Sequence, residues 1–146
     1  MAEQSTTSLY SREILRLAME LPHGDHLTTP HGTASARAPV CGSEMTAEIV
    51  LTSDGNVEAV ALQARACALG QASAALLRHW ALGRPVQTLS ETRSAFADYL
   101  SGKSDNPPDP AFAVFAAART HSARHGAILL PFDALMAAAN AIAKPG

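Results

Sequence analysis

Two stretches in which apolar and polar residues alternate, 45–52 and 57–64, flank the dipeptide Asp54-Gly55. Asp-Gly supplies the positive backbone angles of a tight two-residue turn, so the two stretches are predicted to pair as an antiparallel hairpin. Alternation places Met45, Ala47, Ile49 and Leu51 on one face. The run 33–40 is more weakly patterned and is read as a third strand. Three strands cannot be stable alone, so the rest of the chain has to cover them with helices.

The flanking sequence supplies those helices. Over 7–21, Leu9, Ile14, Leu17, Ala18 and Leu21 form an apolar stripe opposite Arg12, Glu13, Arg16 and Glu20, and Pro22 and Gly24 stop it. A second helix is predicted over 67–82, ended by Gly83 and Pro85, and a third over 88–100. The proline-rich run 101–110 reads as a loop, and helices over 111–119 and 131–143 close the chain. The expected fold is α+β, one small three-stranded antiparallel sheet under about five helices, in a single domain spanning 1–146.

Composition narrows the function classes. A net charge of −2 and pI near 6.3 give no basic field for nucleic acid or an anionic membrane. No apolar run approaches the ~20 residues that span a bilayer, and the polar residues 1–8 lack the layout of a signal peptide. The expected location is the cytoplasm. Thiols stay reduced there, so the two cysteines, Cys41 and Cys67, are read as ligands or nucleophiles rather than a disulfide.

Cys41 lies in Pro39-Val40-Cys41-Gly42-Ser43, where Gly42 allows a tight turn that presents the thiol. Cys67 falls at a predicted helix start, where free N–H groups favour a thiolate. Each could equally be a small core residue. His121 and His125 are four apart, a spacing that places two metal ligands on one face of a continuous helix. His23, His26 and His31 lie in or just after a polar loop, and His79 beside Trp80 reads as structural. No phosphate loop, nucleophile elbow or zincin motif is present, so no enzyme activity is expected.

Read together, several segments carry a resemblance. Tyr10-Ser11 leads through the first helix to Leu21-Pro22-His23-Gly24; Ala38-Pro39-Val40-Cys41-Gly42 and Ala66-Cys67-Ala68-Leu69-Gly70-Gln71-Ala72-Ser73 follow, then Gly83-Arg84, Ala123-Arg124 and Leu130-Pro131-Phe132-Asp133-Ala134-Leu135. In this order they resemble the IscU/SufU/NifU-type iron–sulfur cluster scaffolds, and the SufU-like branch most. The resemblance implies a transient [2Fe–2S] cluster, or iron, with zinc as a substitute, held through Cys41 and Cys67. It implies a cysteine desulfurase and apo iron–sulfur recipient proteins as partners, with a homodimer as one source of further ligands.

The family's third cysteine falls at Ala127 here, its Asp two residues past the first cysteine is Ser43, and the histidine of one branch is Gly126. His125 or His121 is then the candidate replacement ligand. The alternative is a non-assembling relative that binds the desulfurase as an adaptor or relays persulfide sulfur.

Overall fold

The computed structural model describes residues 9–142. Helix α1 spans Arg12–Glu20, and the Ser11 hydroxyl caps it by accepting from the Ile14 amide at 3.2 Å. That cap sets the start later than the apolar stripe suggested, because a serine oxygen satisfies an orphan N–H of the first turn. Residues 7 and 8 of the expected helix lie outside the described residues.

Strands β1 (Gly32–Arg37), β2 (Glu44–Leu51) and β3 (Val57–Arg65) form one antiparallel sheet in the order β1-β2-β3. The hairpin is present, with a longer loop than the two-residue turn expected: Thr52 N–H donates to the Asn56 carbonyl at 2.8 Å, Gly55 N–H to the Thr52 carbonyl at 3.0 Å, and of the Asp-Gly pair only Gly55 has positive φ, at +85°. β1 stops at Arg37 rather than continuing to Val40. Ala38 N–H donates to the Ser43 carbonyl at 2.8 Å and Gly42 N–H to the Ala38 carbonyl at 2.9 Å, closing a turn that needs Gly42 at φ +73°. Pro39, Val40 and Cys41 are thereby carried to the tip of that turn.

The inner face of the sheet presents Met45, Ala47, Ile49 and Leu62, all fully buried. Helices α2 (Ala68–Trp80) and α4 (His125–Asn140) cover it, and α1 packs on α2. The approach of α4 to β1 depends on Gly32, where a Cβ would overlap the Ala138 carbonyl oxygen. A second packing centre lies between α3 (Thr88–Ser101), α4 and the segment Pro110–Thr120. Phe96 sits at its middle, with ring centroids 4.8 Å from Phe112, 5.7 Å from Phe115 and 6.0 Å from Phe132. Pro110–Thr120 was expected as an α-helix and is a 3₁₀ helix, entered through Asp109, whose carboxylate accepts from Ala111 N–H at 3.0 Å. With a short 3₁₀ turn at Ser122–Arg124, these helices and the sheet make the α+β architecture expected from the sequence.

The last helix begins at His125, not at Pro131, which sits inside it. An interior proline removes one hydrogen bond and costs ~3 kcal/mol. Burial outweighs that cost: Ile128, Leu130, Phe132 and Leu135 are all buried, each worth roughly 1.5–3 kcal/mol. Ser73, fully buried on α2, donates its hydroxyl to the Ile128 carbonyl at 2.5 Å, meeting the helix just before the proline.

Candidate functional site

The two cysteines arrive from different elements. Cys41 stands exposed on the turn between β1 and β2; Cys67 is the N-cap residue of α2, half-buried, and its side chain makes no capping bond. They meet on one open hollow of about 270 Å³, lined also by Gly42, Ser43, Arg65, Ala66 and Arg124. The hairpin register explains the convergence. Glu44 at the start of β2 pairs with Arg65 at the end of β3, so the turn before β2 and the turn after β3 lie at the same end of the sheet.

The electrostatics of the hollow favour an anion. Among the described residues neither Arg65 nor Arg124 is in an ion pair, as is also true of Arg12, Arg16 and Arg84; Arg37, Arg78, Arg93 and Arg119 each have an acidic partner. Ser43 is buried, with its hydroxyl oxygen 3.0 Å from Cys41 Sγ. That hydroxyl is the main group holding the Cys41 thiol below its ordinary value; partial burial opposes it, and the Ser43 and Cys41 backbone amides and the charge of Arg124 assist. A thiolate at Cys41 is the nucleophilic form of the side chain.

His121 and His125 do not line this hollow. His125 Nε2 donates to the Ala118 carbonyl at 2.7 Å, and His121 Nδ1 lies 3.2 Å from the Ala117 carbonyl. Their four-residue spacing spans a break between the 3₁₀ segments and α4, with His121 at φ −118° and ψ 72°, so the one-face argument for a continuous helix does not apply. Ala127, where the resemblance places a third cysteine, is fully buried. Among the described residues no cluster of three or more His, Cys, Asp or Glu side chains is arranged to hold a metal ion.

The two arginines were not among the residues expected from the sequence. Arg65 directly precedes Ala66-Cys67, and Arg124 follows Ala123 in one of the resembling segments. Arg65 could have been flagged as a basic residue close to a cysteine, Arg124 only as part of a resembling segment, and the fold alone brings both to the same hollow.

A fold of this kind, with cysteines on the turn before β2 and at the cap of α2, defines a class that the comparisons identify. The family model described as "NifU-like N terminal domain" matches residues 9–124. The solved structure of the N-terminal part of a nitrogen-fixing NifU-like protein from Brucella abortus is 30% identical, with a TM-score of 0.85 over 94% of this chain and 96% of that one. This chain belongs to the NifU-like N-terminal domain family.

Two further structures share the fold. One, from the thermophile Fervidobacterium islandicum AW-1, is described as a candidate iron–sulfur cluster assembly scaffold for the SUF system; it is 21% identical, TM-score 0.79, covering 89% of this chain and 96% of that one. A hypothetical protein is 15% identical, TM-score 0.76, covering 96% and 99%. No curated protein sequence matches the chain. Among the described residues no helix is long and apolar enough to cross a membrane.

Proposed function

We propose that this protein serves iron–sulfur cluster assembly as a sulfur-accepting, two-thiol member of its family, with Cys41 and Cys67 as the reactive pair. The observation that carries the reading is the hollow itself: two thiols, a buried serine hydroxyl and two arginines without acidic partners. A bare Fe²⁺ or Zn²⁺ ion takes four donors, and two thiols facing two guanidinium groups do not supply them. A persulfide is an anion, and the same residues suit it.

The step is a transfer between sulfurs. The Cys41 thiolate attacks the outer sulfur of a desulfurase persulfide, forming the new S–S bond, while the desulfurase S–S bond breaks and its cysteine leaves as thiolate. Arg124 and Arg65 stabilise the anion, and Cys67 offers a second acceptor on the same hollow. The protein is a reactant here and not a catalyst. A cysteine desulfurase is the donor partner; apo iron–sulfur proteins, or a scaffold serving them, are the recipients.

The test is turnover of a desulfurase with cysteine, followed by intact-mass measurement without reductant. A sulfur adduct lost in Cys41→Ala with Cys67→Ala supports the reading, and absence of any adduct on the unaltered protein overturns it. One observation favours a second reading. Cys41 is exposed on an open hollow, so a second protomer could add two thiols and complete the four thiolates of a [2Fe–2S] cluster as cargo. Anaerobic reconstitution with iron and sulfide distinguishes the two: cluster absorbance with a dimeric mass supports the shared cluster, and a colourless monomer excludes it.

A further inference from the structure

A larger cavity, about 420 Å³, lies on the outer face of the sheet and shares Arg65 with the cysteine hollow. Its floor is Thr46 and Gln63, paired across β2 and β3; its walls are Pro22 and His23 from the segment after α1, and Gln71 from the first turns of α2. That segment is fixed in place. Glu48 accepts from the Leu27 amide at 2.8 Å, and Gln63 donates to the Asp25 carbonyl at 3.0 Å. Gln71 is oriented too, its amide donating to the Ala66 carbonyl at 2.8 Å, beside Cys67.

The charges indicate what the cavity selects. Its one carboxylate, Glu44, is engaged by Arg37 at 3.0 Å; the Arg65 guanidinium, cross-strand from Glu44 and on the wall shared with the thiols, makes no ion pair among the described residues. The amide nitrogens of Gln63 and Gln71 are held by the Asp25 and Ala66 carbonyls, and Gln63 also by His26 at 2.7 Å, leaving their carbonyl oxygens to accept from peptide-like N–H groups; the volume lies in the range of small-molecule sites.

We propose that this cavity binds a low-molecular-weight thiol carrying a carboxylate and amide groups, and that Arg65 turns it toward the cysteine hollow to remove sulfur. The inference rests on the sulfur-accepting reading above. In the step, the small thiol's thiolate attacks the outer sulfur of the protein persulfide, a new S–S bond forms on the small molecule, and the protein cysteine leaves as thiolate. The persulfide reacts in its protonated form, its proton taken from solvent, and that proton stays on the transferred sulfur.

Glutathione is the probe, 2-mercaptoethanol the neutral comparison and S-methylglutathione the unreactive analogue. The protein is loaded with inorganic tetrasulfide, and sulfur removal is followed against thiol concentration. The expected result is saturation with glutathione and a linear dependence with 2-mercaptoethanol. Arg65→Gln should raise the half-saturating glutathione concentration about tenfold, the usual cost of losing a charged hydrogen bond to a carboxylate. Thr46→Tyr, which fills the floor, should collapse the ratio of the two thiols' rates.

S-methylglutathione should shift the amide NMR signals of Thr46, Gln63 and Gln71, and this readout needs no persulfide. Linear dependence on both thiols, or no shifts with S-methylglutathione, overturns the cavity assignment. If those shifts appear but tetrasulfide loads neither cysteine, the sulfur-accepting reading fails while the cavity's ligand class stands.

Discussion

Ser43→Ala, made in a Cys67→Ala background so that Cys41 alone reacts, isolates the contact that sets the character of the site. The Ser43 hydroxyl lies 3.0 Å from Cys41 Sγ and is held in a buried side chain, so its loss is not readily replaced by another protein donor. Hydrogen bonds to charged groups contribute about 1.5–3 kcal/mol, but Cys41 is exposed and water competes, so about 1 kcal/mol remains. That corresponds to about fivefold less thiolate at a fixed pH below the titration midpoint. The assay is the pH dependence of alkylation by iodoacetamide.

The sign follows from the lowered thiol. In the parent the thiolate survives as pH falls below the ordinary thiol value, so the two proteins differ most in that window and converge above it. Arg124→Gln should shift the profile in the same direction but less, since its charge assists less than the Ser43 hydroxyl does. Superimposable profiles for parent and Ser43→Ala, or faster alkylation in the variant, would refute the reasoning.

Three other outcomes are expected. Ser43→Asp combined with Ala127→Cys restores the donors that the family resemblance assigns to those positions, and zinc affinity by chelator competition should rise at least about tenfold, in line with the cost of disturbing a metal site; an unchanged affinity would show that other features exclude the metal. Ser73→Ala removes the hydroxyl that meets the Ile128 carbonyl and should cost about 1–2 kcal/mol, read as a lower urea midpoint with an unchanged slope. Phe96→Ala empties the centre of the aromatic cluster and should cost about 3–5 kcal/mol. Trp80, edge-on to Phe112 at 5.4 Å, reports that unfolding by fluorescence.

The sheet was legible because its signals are local. Asp54-Gly55 and the alternation from Met45 to Leu51 fix a hairpin whatever lies around it. The last helix was misplaced because a proline is a local stop signal, and its cost was outweighed by side chains buried against distant elements. The cysteines could be found by residue type and by resemblance, but the hollow could not. Arg65 and Arg124 are far apart in sequence, and only hairpin register and helix packing bring them to the same thiols. The histidine pair lies outside the hollow for a related reason: a spacing of four has meaning on a continuous helix, and the chain changes helix type between those residues.

The departures from the family pattern act in one direction. A carboxylate at position 43 would stand beside Cys41, raise its thiol and offer a ligand to a cation; the serine hydroxyl found there, 3.0 Å from the sulfur, can turn to donate once the thiol ionises and so lowers it. A cysteine at position 127, where the resemblance places one, would bring a soft, anionic donor; the alanine there is fully buried, does not line the hollow and brings none. Arg65 and Arg124 then face two thiols instead of a full set of metal ligands. Each residue moves the hollow from holding a cation toward holding an anion. A chance loss of ligands has no reason to leave a buried hydroxyl beside the remaining thiol. This coherence is what the proposed sulfur-accepting role requires of the hollow, and the Ser43→Asp, Ala127→Cys variant carries it to experiment: a protein that gains zinc while losing the sulfur adduct has exchanged one chemistry for the other.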